Sequence, residues 1–402
     1  MNRSKKGLEG KGLSSVVLFM CLCAAVSLAA GFSDSVFSNF FKDAYAVSAS
    51  QRAFIEFPRE APGLLCVFVI SALGFLGDIR LALIAQILSC IGVTILGFFT
   101  PSFALMLIFL FLYSLGQHIY LPLTDSIGMS LSEPGKVGTR MGQFAGVKTA
   151  CSMIAAVVVF FGFRGGLFTF KTNVKLIFLI AALLYAAAAV IAILLYKRCK
   201  ANGESAAVAM VKTGKLILRK EYRYYYMLTV LYGVQKQIAF VFGSWVIIDI
   251  LSKGADIMSL LSIIAGFLGI FFIRLIGKWM DKFGVKTMLF VDALSFIFVY
   301  TLYGAVVWGM TGGKIPMQGW PVFMIYALFI LDRLSMQTSM VRSVYLRSIA
   351  IDPAEVTRTL STGTSLDHVV AIISAQLSGL IWKYFGPQWV FFMAAFFSLG
   401  NL

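Results

Sequence analysis

The sequence predicts an all-α integral membrane protein, with twelve transmembrane helices in two six-helix bundles. Three observations carry that expectation. Of the 402 residues, 59% are hydrophobic and only 13% charged, whereas soluble domains run near a quarter charged. Mean hydropathy is +0.88. Apolar runs of about 17 to 25 residues recur along the chain, each long enough to cross about 30 Å of hydrocarbon as a helix and far longer than a barrel strand.

Hydropathy and helix breakers place the first six spans near 13–41, 52–77, 81–99, 103–131, 138–162 and 174–196. Six more are expected near 224–250, 255–276, 287–308, 321–345, 359–382 and 388–402, with the last short or truncated at Leu402. Signals such as "TPSF", "SEPG", "GMTGGKIP" and "YFGPQ" separate them. The first span is too long for a signal-peptide core and lacks a convincing cleavage site, so it reads as a true crossing. The second needs help from charged residues, because Ala61 to Gly77 gives only about 26 Å of helix at ~1.5 Å per residue.

That help comes from "QRAFIEFPRE". Arg52, Glu56, Arg59 and Glu60 stand at i, i+4, i+7 and i+8, so a helix starting at Arg52 gathers them on one face and kinks at Pro58. The alternative starts the helix at Pro58 and leaves Arg52 and Glu56 in a loop. The i, i+4 spacings of Arg52 with Glu56 and Glu56 with Glu60 favour the first. The four are expected at an outer cavity mouth as a gate or entry site, with a plain solvated loop as the competing reading.

The formal charge of +16 first suggests nucleic acid, but its distribution argues against that class. With the N-terminus in the cytoplasm, inner segments hold 22 Lys and Arg, outer segments hold 9 and three lie mid-membrane, which is the positive-inside asymmetry. A multi-pass protein of the plasma (inner) membrane follows, its partner the lipid bilayer. The six cysteines lack CxxC spacing, so neither disulfides nor a metal are expected, and no cofactor.

The basic stretch 197–223 divides the chain into bundles at 1–196 and 224–402, as a cytoplasmic linker. Two landmarks suggest that the halves repeat. "GFLGDIR" (Gly74, Asp78, Arg80) after span 2 and "GKWMDKFGVK" (Gly277, Asp281, Lys282, Gly284, Lys286) after span 8 both place Gly and Asp four apart, 203 residues from each other. "SEPGKVGTR" and "IDPAEVTR" put Arg140 and Arg358 after spans 4 and 10. Twelve spans, a 6+6 repeat and the GxxxD(K/R)xGx(K/R) pattern resemble the major facilitator superfamily. The second copy matches that pattern cleanly; the first departs from it, with Arg80 displaced and Leu81 and Ala82 following. The resemblance implies a transporter with one cavity between halves that opens alternately to each side, and cytoplasmic gate latches at Asp78 and Asp281; a monomer is expected.

Charges inside spans point to the cavity, because each costs at least ~2.5–3.5 kcal/mol unless it faces a polar interior or a partner. The candidates for substrate contact or coupling are Asp34, His118, Asp125, Lys148, Lys236, the adjacent Asp332 and Arg333, Asp367 and His368. Lys148, Lys236 and Arg333, with His118, suggest an anionic or carboxylate-bearing solute, or else ion pairs that neutralise Asp125, Asp332 and Asp367. Asp34, His118, Asp367 and His368 are candidates for proton coupling. Spans 3, 6 and 12 lack central charges and read as lipid-facing supports. Tyr113, Tyr120, Tyr232 and Tyr326 line the cavity or pack in the core. Gly138, Gly142 and Gly146 form a close-packing face, and span 5 lacks the later Gly-Pro signature of drug/proton antiporters in this superfamily.

The expected function is secondary active transport of a small organic, anionic solute, coupled to protons. Alternatives are an efflux permease for drugs or metabolites and, remotely, an intramembrane enzyme. No GxxxxGK[ST], HExxH or GxSxG motif is present to support an ATP-driven pump or a hydrolase.

Overall fold

A computed structural model describes residues 13–99, 101–133, 137–203, 219–351 and 353–402. Among them there is no strand, and they include thirteen α-helices. The N-terminal segment 1–12 and linker residues 204–218 lie outside the described residues.

The first crossing is broken. Helix α1 (Ser15–Ser33) ends at Asp34 and α2 (Phe37–Tyr45) continues the crossing. The Ser33 hydroxyl donates to the Ala29 carbonyl at 2.9 Å and Ser35 to Gly31, back-bonds that compete with the helix ladder on either side of Asp34. Helix α3 (Ala49–Leu73) starts with a Ser48–Gln51 capping box and carries Pro58 and Pro62 inside it, so "QRAFIEFPRE" is helical throughout. Then come α4 (Asp78–Phe98), α5 (Phe103–Ser130), α6 (Val137–Arg164) and α7 (Leu176–Asn202).

In the second half, α8 (Arg223–Ile238) runs into two π-helical segments, Ala239–Gly243 and Val246–Ile250. Helix α9 (Ala255–Thr311) has 57 residues, about 85 Å at ~1.5 Å per residue, which is more than two bilayer cores. It therefore holds two crossings, folded at Gly284, whose φ of 81° and ψ of 160° interrupt the helix. After it come α10 (Trp320–Ser335), a 3₁₀ turn at Met336–Thr338, α11 (Ser339–Ile349), α12 (Pro353–Phe385) and α13 (Pro387–Leu399).

Gly77 adopts φ 80° and ψ 160°, nearly the conformation of Gly284, a region that side chains with a Cβ rarely enter. The turn that repeats is thus centred on Gly77 and Gly284, which are 207 residues apart. This corrects the 203-residue register: Asp78 follows its turn glycine directly, whereas Asp281 precedes its own by three positions, so the two aspartates are not counterparts.

Helix α4 packs on α5 and α7, α1 on α6 and α7, and α3 on α5; later, α9 packs on α10 and α13, and α8 on α12 and α13. Across the halves, α3 lies along α12 and α6 along α9. Those cross-half contacts gather at the end carrying the α2–α3 turn. Ser50 donates to the Gly379 carbonyl (3.4 Å), Gln376 to Ala53 (2.9 Å) and Asn39 to Lys253 (3.2 Å), while Lys42 pairs with Asp249 and Arg164 with Asp256 (3.6 Å). The opposite end, which carries Gly77 and Gly284, is open beside α6 among the described residues. Gly142 and Gly146 have no atom of another residue within 4 Å of where a Cβ would sit, which corrects their reading as a packed face in this state. The Gly138 side of that stripe lies outside the described residues.

Candidate functional site

The backbone irregularities of spans 1, 7 and 10 mark the site. Asp34 sits at the break of span 1, Lys236 and Gln237 just before the first π segment, and Arg333 just before the 3₁₀ turn. Non-helical backbone at membrane depth is tolerated where it lines a cavity. One of about 280 Å³ lies there, with Asp34, Arg59, Glu60, His118, Lys236 and Phe240 among the residues of its wall. A second, of about 380 Å³, lies nearer the opposite end, against Tyr232, Arg342, Thr364 and Asp367.

The closed end of the first cavity is a charged layer. Glu56 on α3 accepts from Arg52 and, at 2.9 Å, from Arg59; Arg52 and Glu56 are both 0% exposed. Gln237 from the second half donates to the other oxygen of Glu56 at 3.0 Å. One turn on, Glu60 lies 2.8 Å from His368 Nδ1 on α12. The His368 ring is 4.9 Å from that of His118, whose Nδ1 lies 2.8 Å from the Ser114 carbonyl. Beside these, Lys236 pairs with Asp367. The Arg59 guanidinium stands 5.4 Å from the centre of the Phe240 ring, and Arg333 stands 5.4 Å from that same ring. Cations from opposite halves thus share one aromatic side chain.

Asp34 differs from its neighbours. It is open to the cavity, and among the described residues no cation lies within ion-pair distance of it. Nearby Tyr113 is buried, its hydroxyl held by Ser33 (2.8 Å) and Tyr185 (3.2 Å).

Solved structures of similar architecture include the nucleoside transporter NupG, with a TM-score of 0.73 and 13% identity over 97% of each chain. A D-xylose-proton symporter has a TM-score of 0.65 and 15% identity over 96% of each chain. A bacterial homologue of the iron transporter ferroportin, in an inward-facing state, has a TM-score of 0.71 and 11% identity, covering 96% of this chain and 98% of that one. The chain has the major facilitator fold. No protein-family model and no curated relative matches the sequence. At these identities the likeness carries the fold and leaves the site chemistry to this chain's own residues.

Of the sequence candidates, Asp34, His118, Lys236, Asp367 and His368 come together with Arg59 and Glu60. Asp332 does not. Adjacent helix positions point about 100° apart, so Asp332 turns into the second half, is 3% exposed and accepts from the Tyr300 hydroxyl at 3.1 Å, while Arg333 turns toward Phe240. Asp125 is exposed and Lys148 half-buried, and among the described residues neither has an ion-pair partner. Among the described residues, neither Asp78 nor Asp281 makes an ion pair. Asp78 is buried in the first turn of α4 and accepts from Ser126 of its own half, Arg80 packs on Tyr196, and Asp281, Lys282 and Lys286 are exposed. Gly74 is buried and Gly277 half-buried with open space beside it. Arg140 lies 3.8 Å from Glu133; the side chain of Arg358 lies outside the described residues. Of the tyrosines, Tyr113 and Tyr232 line cavities and Tyr120 is buried.

Several site residues gave no usable signal in the sequence. Phe240 is one phenylalanine among 37. Gln376 and Asn39 act through partners more than 200 residues away. The buried Arg342–Asp292 pair (2.8 Å) was traceable, because Asp292 is a carboxylate in an apolar run and needs a cation nearby.

Proposed function

We propose that the protein is a secondary active transporter in which bundles 1–196 and 224–402 rock about the cytoplasmic linker 197–223, carrying a small organic solute in step with protons. The observation that carries this reading is the layout of the first cavity. It is walled by both halves and closed at one end by cross-half contacts, and the second cavity lies beyond the Lys236–Asp367 pair. Rocking that breaks the Glu56–Gln237 and Glu60–His368 contacts exposes the same groups to the other side. With the N-terminus cytoplasmic in the plasma membrane, as the distribution of Lys and Arg supports, the state described here faces inward. A monomer contains the whole cavity.

A volume near 280 Å³ sits at the small end of ligand pockets, which run about 300–1,000 Å³, and suits a metabolite rather than a bulky drug. Lys236 and Arg333 support a solute with an anionic group. Arg59 is committed to Glu56 and Lys236 to Asp367, so the solute's anion enters by exchanging with Asp367 on Lys236. The open carboxylate of Asp34 then offers a place for a positive or hydrogen-bond-donating group, which favours carboxylates that also carry an amine or hydroxyls. Asp34 is also the proposed proton carrier, as the cavity carboxylate without an ion-pair partner at the break in span 1.

The test is uptake by proteoliposomes of purified protein, with an imposed pH gradient and a panel of amino acids, hydroxy acids, dicarboxylates, sugars and nucleosides. A carboxylate-bearing solute is expected to accumulate with the gradient, Lys236→Gln to raise KM for it, and Asp34→Asn to abolish the response to the gradient. Uptake confined to neutral sugars, or Lys236→Gln with unchanged KM, refutes the anionic assignment.

A further inference from the structure

The chain has two histidines in 402 residues, and they meet. His118 comes from α5 in the first half and His368 from α12 in the second, 250 positions apart, and Glu60 completes a cluster whose donor atoms lie within 4.8 Å of one another. We infer that Glu60, His118 and His368 form a site for one divalent transition-metal ion, held between the halves at the closed end of the cavity.

The ring orientations support ligation. His118 Nδ1 lies 2.8 Å from the Ser114 carbonyl and 3.1 Å from its hydroxyl, so Nδ1–H donates to the carbonyl and Nε2 is left as the lone-pair donor. That arrangement is how metal-binding imidazoles are commonly fixed in tautomer and direction. The Nε2 edge of His368 rests on Gly63, where a Cβ would fall 2.5 Å from the ring, so only Nδ1 faces the Glu60 oxygen 2.8 Å away. Helix α3 needs a glycine there for the imidazole to come this close. The neighbouring cations leave Glu60 available, because Arg59 is held by Glu56 and Lys236 by Asp367.

Two imidazoles and one carboxylate suit Zn²⁺ and its borderline neighbours Co²⁺, Fe²⁺ and Mn²⁺. They suit Mg²⁺ and Ca²⁺ poorly, since those ions take oxygen ligands, and Cu⁺ poorly, since it prefers thiolate and thioether. With metal–ligand bonds of about 2.0–2.2 Å at tetrahedral angles, donors on one ion stand ~3.3–3.6 Å apart. Side-chain rotations that bring the farthest donors about 1–1.5 Å closer therefore close the triad around an ion. Glu60 and His118 line the cavity, so an ion enters from there and keeps a coordination position open toward it for water. Because the ligands come from both halves, the ion binds this state better than one with the closed end opened, and shifts the population toward it.

The probe is Co²⁺ titrated into purified full-length protein in detergent, read by its visible absorption bands and then displaced with Zn²⁺. One saturable Co²⁺ per chain is expected. His118→Gln, His368→Gln and Glu60→Gln should each weaken it by at least ~10-fold, whereas Cys21→Ser, which removes an exposed thiol, leaves it unchanged. Each variant's thermal transition, measured without metal, shows whether it is folded. Absence of saturable absorption with wild-type protein, or equal binding by folded His118→Gln and Glu60→Gln, overturns the site. The readout needs no transport, so it stands or falls apart from the solute assignment.

Discussion

Alanine at Gly379 tests whether the closed end depends on direct backbone approach. Its Cβ would fall 2.5 Å from the Ala53 Cβ, 3.5 Å from the Ser50 Cα and 3.7 Å from the Ala49 carbonyl. Methyl carbons rest about 3.5–4.0 Å apart, so α3 and α12 must separate by more than an ångström along their shared seam. Overpacking of that kind costs about 1–3 kcal/mol. The Gln376 bond to the Ala53 carbonyl, 2.9 Å long, does not survive such a separation, which adds roughly 1 kcal/mol. The cost falls on this state alone, because the clash exists only where the seam is closed. At about 1.4 kcal/mol per tenfold, 2–4 kcal/mol moves the equilibrium toward the opened seam by roughly 30- to 800-fold. Asn39, 1% exposed and beside the second half, reports on it. With Asn39→Cys placed in protein stripped of its six native cysteines, maleimide labelling in detergent should run at least ~10-fold faster with Gly379→Ala than without. An unchanged labelling rate in folded protein would falsify the claim that this seam holds the end closed.

The open end invites the opposite change. Leucine at Gly146, which meets only empty space here, should leave Asn39→Cys labelling no faster than in its parent while slowing transport several-fold, because that face must pack when the open end closes; faster labelling would show that it destabilises the present state instead. In the charged layer, Glu56→Gln strands Arg52 without a counter-charge and leaves Arg59 only the more distant carboxylates of Asp34 and Glu60. That loss should cost about 3–5 kcal/mol and lower the melting temperature by several degrees. By contrast, Lys42→Gln, in a pair whose side chains are 35% and 26% exposed, should cost about 1 kcal/mol or less; equal losses would mean that burial does not set the worth of these pairs.

Composition and periodicity made the architecture legible because a bilayer leaves few options: each crossing must be helical and about 20 residues long. Residues that interact along one helix were legible too. Arg52, Glu56 and Arg59 could be read as one charged face because i, i+3 and i+4 neighbours meet whatever the tertiary fold. The turn repeat was misaligned for a related reason. Matching letters paired the Gly–Asp spacings, whereas the turn requires a glycine able to hold φ near 80°, and that conformation belongs to Gly77 and Gly284.

The centre of the site was the least legible part, since its contacts join positions that sequence keeps far apart: Glu60 to His368, Gln237 to Glu56, Arg59 and Arg333 to Phe240. The cost of burying charge nominates residues without naming their partners. Asp332 and Asp367 look alike in the sequence, each next to a basic or imidazole residue in an apolar run. Yet one is held by Tyr300 inside the second half and the other pairs with Lys236 at the cavity. What separates them is the direction each takes from its helix relative to the break that opens the cavity. Backbone irregularity therefore locates the cavity, as at Asp34, Lys236 and Arg333, and side-chain direction decides which residues beside it face inward, leaving Asp332 in the scaffold.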